Sequence, residues 1–180
     1  MRYSQMLKVI NDLQPNVVLE IGTHKAARPF EWSRYADFKY YGFDVFEEGT
    51  DELNKKEFNG KGFCNQEHAE GVLDAAEIDH RLYKGLTSDT LPQFLKEHDG
   101  LPFVDFAFID GGHSIDTIQL DWDHVRQVMN PGGIVVFDDY YDPQIEGVGC
   151  NEVVKDLDFS LYPNGDRMPG GRVYLAKVEI

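Results

Sequence analysis

Val17-Val18-Leu19-Glu20-Ile21 is a nearly unbroken aliphatic run, and comparable runs recur near Tyr40 to Asp44, Arg81 to Lys84, Val104 to Asp110 and Ile134 to Asp138. Strands with so little apolar/polar alternation suit a parallel sheet covered on both faces. Segments of helical pattern lie between them. The clearest runs from about Ser114 to Met129, where Ile115, Ile118, Trp122, Val125 and Met129 repeat at intervals of three and four. This alternation predicts an α/β fold built on a doubly wound sheet. Met6, Val9, Ile10 and Leu13 mark a short opening helix, with Ser4 expected as its cap and Pro15 as its stop. Asn130-Pro131-Gly132-Gly133 is expected to end the long helix and turn into the fifth strand. After Asp142 the pattern becomes a helix around Cys150 to Leu157, a strand near Phe159 to Tyr162 and a last strand from Arg172 to Val178, seven strands in all. Tyr162-Pro163-Asn164-Gly165-Asp166 carries hairpin-like turn chemistry, so the mostly parallel sheet is expected to end in an antiparallel edge strand.

A chain of 180 residues, 42% of them apolar, buries one substantial core and is short for two, so residues 1–180 are read as a single domain. The 17 basic against 32 acidic residues give a net charge of −15, a field that repels nucleic-acid phosphates and anionic membranes. Most individual carboxylates belong to solvated surface, so only specific clusters count as evidence. Cys64 and Cys150 lack metal-type or redox-type spacing and are expected as reduced thiols. The first residues turn polar before a signal-peptide core can develop, and no later apolar run reaches membrane-spanning length. A soluble, cytoplasmic protein is expected.

In open parallel sheets, ligands bind beyond the carboxyl ends of the strands. The first strand delivers Glu20-Ile21-Gly22-Thr23, and Gly22 lets the backbone come close to a ligand. Aligning a three-glycine pyrophosphate cradle on Gly22 puts His24 and Ala27 at its second and third positions, which disfavours a dinucleotide. The second strand ends in Asp44, where an acid can accept from both hydroxyls of a ribose. A nucleoside without a pyrophosphate fits this pattern better.

With these residues in view, the sequence resembles the class I S-adenosylmethionine methyltransferases, which share a Rossmann-like sheet. The resemblance implies that Glu20, Gly22 and Thr23 lie by the methionine part of the cofactor and that Asp44 holds its ribose. It also implies that Leu86 and Ser88, within Gly85-Leu86-Thr87-Ser88, flank the adenine, and that Asp110 borders the cofactor. Ala26 and Ala27 stand where relatives commonly carry glycine. A closer likeness is to the small-molecule O-methyltransferase branch that includes metal-dependent antibiotic and sugar O-methyltransferases. It is carried by Phe108-Ile109-Asp110-Gly111-Gly112-His113-Ser114 and Pro131-Gly132-Gly133-Ile134-Val135-Val136-Phe137-Asp138-Asp139-Tyr140. That likeness maps a divalent ion onto Asp110, Asp138 and Asp139, and three such carboxylates would repel one another without a cation. Magnesium is the expected metal.

His113, three residues past Asp110, is a candidate for proton transfer beside Asp110, with capping of the helix at Ser114 as the alternative. The remaining histidines, His24, His68, His80, His98 and His124, read mostly as solvated surface. Tyr140, Tyr141 and Asp142 are candidates for the wall of an acceptor pocket. The expected partner is a small molecule with a sugar or phenolic hydroxyl, with neither nucleic acid nor membrane, and assembly into a homo-oligomer is left open. Two alternatives stand beside this reading: a nucleotide-dependent oxidoreductase on a related sheet, and a cofactor-binding subunit without catalysis.

Overall fold

The computed structural model describes residues 3–58, 60–168 and 170–180. Its seven strands are β1 (Val17–Ile21), β2 (Lys39–Asp44), β3 (His80–Lys84), β4 (Val104–Ile109), β5 (Met129–Asp142), β6 (Phe159–Met168) and β7 (Gly171–Glu179). They form one sheet in the order β3-β2-β1-β4-β5-β7-β6. β1 to β5 run parallel; β7 pairs antiparallel with β5, and the edge strand β6 pairs antiparallel with β7. The chain winds outward from β1 to β3, then crosses to β4 beside β1. That reversal opens a crevice at the carboxyl ends of β1 and β4, the place where open sheets take ligands.

Among the described residues, seven α-helices cover the sheet: α1 (Ser4–Leu13), α2 (Ala27–Trp32), α3 (Asp51–Glu57), α4 (Gln66–Ala75), α5 (Thr87–Glu97), α6 (Ile115–Val128) and α7 (Asn151–Val154). Because strand side chains alternate between faces, two separate apolar clusters result. One joins Phe43, Phe94, Ile109, Trp122, Val125 and Phe137, and the other joins Met6, Ile10, Trp32, Leu73, Phe106 and Phe108. Trp32 meets Phe106 edge-on with centroids 5.5 Å apart, and Phe43 stacks on Tyr83 at 4.8 Å. Burying a side chain of this size contributes about 1.5–3 kcal/mol, so these clusters hold the strand ends in register. Among the described residues no helix is long and apolar enough to cross a membrane. Cys64 and Cys150 are separate buried thiols.

The structure departs from the sequence reading where tertiary contacts override local signals. Ser4 does not cap α1; the cap position is Tyr3, in a left-handed conformation with no side-chain cap bond. Tyr3 is drawn inward, where its ring meets Phe108 edge-on and its hydroxyl reaches Asp138. Asn130-Pro131-Gly132-Gly133 does not separate helix from strand as a free turn; it is a bulge inside β5, between the pairings Val104 to Met129 and Phe106 to Ile134. β6 continues past Tyr162 to Met168, with an irregularity between Pro163 and Arg167, so the expected turn at Pro163-Asn164 lies within the strand. His98 is not a surface group: its ring packs against Phe94 and Phe103.

Candidate functional site

The site starts from a close approach of backbones. Gly22 ends β1 with φ +93°, and a Cβ added there would overlap the carbonyl of Asp110 at the end of β4. Only glycine tolerates both the dihedral and the contact, so Gly22 is what lets the ends of β1 and β4 meet. One strand over, the carboxyl of Asp44 is fixed by two backbone donors: His24 N–H at 2.8 Å on Oδ2 and Phe46 N–H at 2.7 Å on Oδ1. Each oxygen retains acceptor capacity for a further donor. Burial raises the pKa of Asp44 despite those two bonds.

Two cavities open here and share Gly22, Asp44, Phe58 and Gly111. The first, about 200 Å³, is lined by Glu20, Gly22, Thr23, Asp44, Asp110 and His113 among others. The second, about 300 Å³, adds Leu86, Thr87 and Ser88. Every residue the sequence proposed for cofactor contact therefore borders one continuous depression.

Glu20 forms its floor, 1% exposed. Tyr40 donates to Glu20 Oε2 at 2.5 Å, and the Thr23 hydroxyl lies 3.0 Å from the same phenol. Burial pushes the Glu20 carboxyl up to about 8, from 4.5. The folded protein thus holds a proton that the unfolded chain releases above 4.5, so this group's contribution to stability falls as pH rises from about 4.5 to about 8 and is constant above. Glu20→Gln is expected to flatten that part of the Tm-versus-pH curve and to raise Tm at pH above about 8, where the wild-type carboxylate is charged and buried. An unchanged slope by scanning calorimetry would refute the burial argument.

His113 is held from both sides of its backbone. Its N–H donates to the Glu57 carbonyl at 3.2 Å, and its own carbonyl accepts from Gly149 at 2.9 Å. Ser114, not His113, caps α6: its Oγ accepts from Thr117 N–H at 3.4 Å, and Ser114 N–H and Oγ–H both donate to the Glu57 carboxylate. His113 borders the first cavity, and its Nε2 lies 3.2 Å from Asp139 Oδ2. Burial pushes its pKa below the usual imidazole value, with the Asp139 charge opposing. A neutral ring backed by a carboxylate can accept a proton, and the carboxylate then stabilises the imidazolium.

The expected metal triad is not assembled. Among the described residues no three His, Cys, Asp or Glu side chains are grouped to hold an ion. Asp138, 2% exposed, accepts the Tyr3 hydroxyl at 2.5 Å on Oδ2 and the Asp139 N–H at 2.8 Å on Oδ1. Neighbouring strand residues point to opposite faces, and here a register shift between Phe137 and Tyr140 and a left-handed φ of 59° at Asp139 turn its carboxylate to His113. Asp110 borders the first cavity, whereas Asp138 and Asp139 border neither.

Tyr140 and Tyr141 do not wall the cavity either. Tyr140 packs on Phe159 with centroids 5.7 Å apart, and Tyr141 lies against Gly149 with its hydroxyl bonded to Asp139. The aromatic walls come from elsewhere: Tyr3, and Phe58 and Phe63 of the loop between α3 and α4. Arg28 also lines the cavity, its guanidinium 3.9 Å from the centre of the Tyr3 ring. No local pattern marks Tyr3 or that loop, because their partners lie far away in sequence. The buried Asp121 carried a readable signal: it falls within the apolar stripe of α6, between Ile118 and Val125, and burial pushes its carboxyl up to about 7.

Comparison with known proteins agrees with this geometry. The uncharacterized protein R132 of Acanthamoeba polyphaga mimivirus is 35% identical over 63 residues, covering 33% of this chain and 28% of that protein, so the chain spans under a third of this relative. The O-methyltransferase TomG of Streptomyces achromogenes, solved with S-adenosylmethionine, superposes with a TM-score of 0.67 at 17% identity, over 97% of this chain and 78% of TomG. An rRNA methylase from Streptococcus thermophilus superposes equally well, TM-score 0.67 at 14% identity, over 99% of this chain and 96% of that one. At such identities these likenesses establish the fold alone. The family model described as a methyltransferase domain matches residues 19–140, from β1 through the end of the Asp138-Asp139 turn. With two thirds of its length inside that match and a crevice assembled from the matching residues, this chain belongs to the methyltransferase-domain family.

Proposed function

We propose that the protein binds S-adenosylmethionine in the joined cavities and catalyses methyl transfer to a hydroxyl of a small-molecule acceptor. When bound, the cofactor supplies an activated methyl group. Asp44 would accept the ribose hydroxyls, Leu86 and Ser88 would border the adenine, and Glu20, Gly22 and Thr23 would face the methionine part. The protein's own work is then to orient the acceptor, exclude water and remove one proton.

His113 is the group for that proton. The observation that carries the reading is the position of its imidazole at the first cavity, backed by Asp139 at 3.2 Å and beside the cradle formed by Gly22 and Asp110. Asp110 borders the same space and helps position the acceptor. The sequence reading expected a divalent ion to activate the hydroxyl; with Asp138 engaged by Tyr3 and Asp139 by His113, the geometry favours the imidazole as the proton acceptor. A small acceptor is favoured over a polynucleotide by the net charge of −15.

Calorimetry with S-adenosylhomocysteine tests the reading directly. Saturable binding is expected, with no competition from NAD. Binding of NAD without binding of S-adenosylhomocysteine would sink it in favour of an oxidoreductase.

A further inference from the structure

In a chain of net charge −15, the first cavity is lined by three cationic side chains, Lys25, Arg28 and Lys61. Several lysines elsewhere lie against carboxylates, Lys39 3.3 Å from Asp79, Lys84 2.9 Å from Glu47 and Lys155 2.9 Å from Glu152, and the others outside ion pairs among the described residues, Lys55 and Lys96, border neither cavity. Lys56, the cation of the second cavity, lies 3.1 Å from Glu57. Arg28 has Glu31 at 3.5 Å and stacks on Tyr3. Among the described residues neither Lys25 nor Lys61 is in an ion pair, although acidic side chains outnumber basic ones almost two to one. Both are exposed and border the opening of the first cavity.

Lys61 is also held in place. The loop that carries it is tied to α3, with Lys61 N–H donating to the Phe58 carbonyl at 3.0 Å and Gly62 N–H to Asn54 Oδ1 at 3.2 Å. The Phe63 ring lies against Gly49, where any added Cβ would collide with it. From this position the Lys61 ammonium acts electrostatically on His113 and Asp139, and Lys25 and Lys61 both act on His24. Lys61 therefore faces the proton-transfer side of the site, away from Leu86 and Ser88.

We propose that the methyl acceptor carries an oxyanion, a carboxylate or a phosphate ester, and that Lys61, aided by Lys25, holds it at the mouth of the first cavity. This rests on the methyl-transfer reading and narrows its substrate class. A chain this acidic repels anions at long range, and a local pair of uncompensated cations reverses that preference at one opening. With Tyr3, Phe58 and Phe63 as walls beside the side of the cavity that Glu20, Gly22 and Thr23 line for the cofactor, the mouth suits a small hydroxylated ring bearing such a group.

The test is calorimetry on the full chain saturated with S-adenosylhomocysteine, using two matched pairs: 3,4-dihydroxybenzoate against 3,4-dihydroxybenzamide, and glucose 6-phosphate against glucose. At least one anionic member is expected to bind tenfold or more tightly than its neutral partner, and the pair that shows it separates carboxylate from phosphate. The preference should shrink at high salt. Lys61→Gln should bring it within about twofold while Lys61→Arg retains it, and neither should alter the Kd for S-adenosylhomocysteine. Equal or weaker binding of both anions, or no binding of either, overturns the proposal. So does a Lys61→Gln variant whose affinity for S-adenosylhomocysteine falls by the same factor, which would give the cation to the cofactor carboxylate. Failure of S-adenosylhomocysteine itself to bind would instead remove the underlying methyl-transfer reading.

Discussion

His113→Ala is expected to lower kcat for methyl transfer by about a hundredfold or more, the usual cost of removing a general base, while leaving the affinity for S-adenosylhomocysteine unchanged. The separation follows from the geometry. The ring borders the first cavity only and is none of the groups assigned to the cofactor: Glu20, Gly22 and Thr23 for the methionine part, Asp44 at the junction of both cavities for the ribose, and Leu86 and Ser88 in the second for the adenine. The backbone of residue 113 is held through its own N–H and carbonyl, so the fold does not depend on the imidazole. The sign of the pH dependence is also set. Burial holds His113 below the usual imidazole range, and the base works when neutral, so activity should rise with pH along a limb whose midpoint lies below the usual imidazole value. Asp139→Asn removes the carboxylate that favours the imidazolium, so the limb should move to still lower pH while kcat falls. A normal turnover number in His113→Ala, or an unshifted profile in Asp139→Asn, would return the pair to a structural role.

Asp44→Ala is expected to weaken S-adenosylhomocysteine binding by about tenfold or more, since hydrogen bonds to a charged acceptor contribute about 1.5–3 kcal/mol. The loss has a second source. The same carboxylate anchors the amides of His24 and Phe46, so its removal also loosens the turns after β1 and β2. Asp44→Asn keeps one carbonyl acceptor and should fall between alanine and wild type. If titration shows wild-type affinity in Asp44→Ala, the ribose is not bound at the end of β2.

How far these residues could be read in advance depends on how local their signals are. β1 was legible to the residue because four successive buried positions after the half-buried Val17 leave no alternative to a strand covered on both faces. α6 was equally plain, since its apolar positions recur at helical spacing and Ser114 supplies a cap. The ends of β5 and β6 were not. Pro131-Gly132-Gly133 and Pro163-Asn164 read as turns in isolation, yet pairing with β4 and β7 on either side absorbs them as irregularities. Ladder hydrogen bonds flanking a bulge outweigh the local preference of the few residues inside it.

The candidate site divides along the same line. Gly22, Asp44, Leu86, Ser88, Asp110 and His113 follow strand ends, and a parallel sheet brings all strand ends of one sense to one edge, so the sequence by itself determined that they would meet. It could not determine which way two consecutive aspartates turn. A single left-handed residue within a register shift sends Asp139 to His113 and leaves Asp138 to Tyr3, across 135 residues of chain, giving an acid–histidine pair and a separate buried hydrogen bond. Nor could it place Lys61, whose loop lies over the cavity because Asn54 and Gly49 receive it. Periodicity encodes which elements form and where their ends gather; the partners of a side chain at that edge are set by packing between segments distant in sequence, which only the tertiary structure decides.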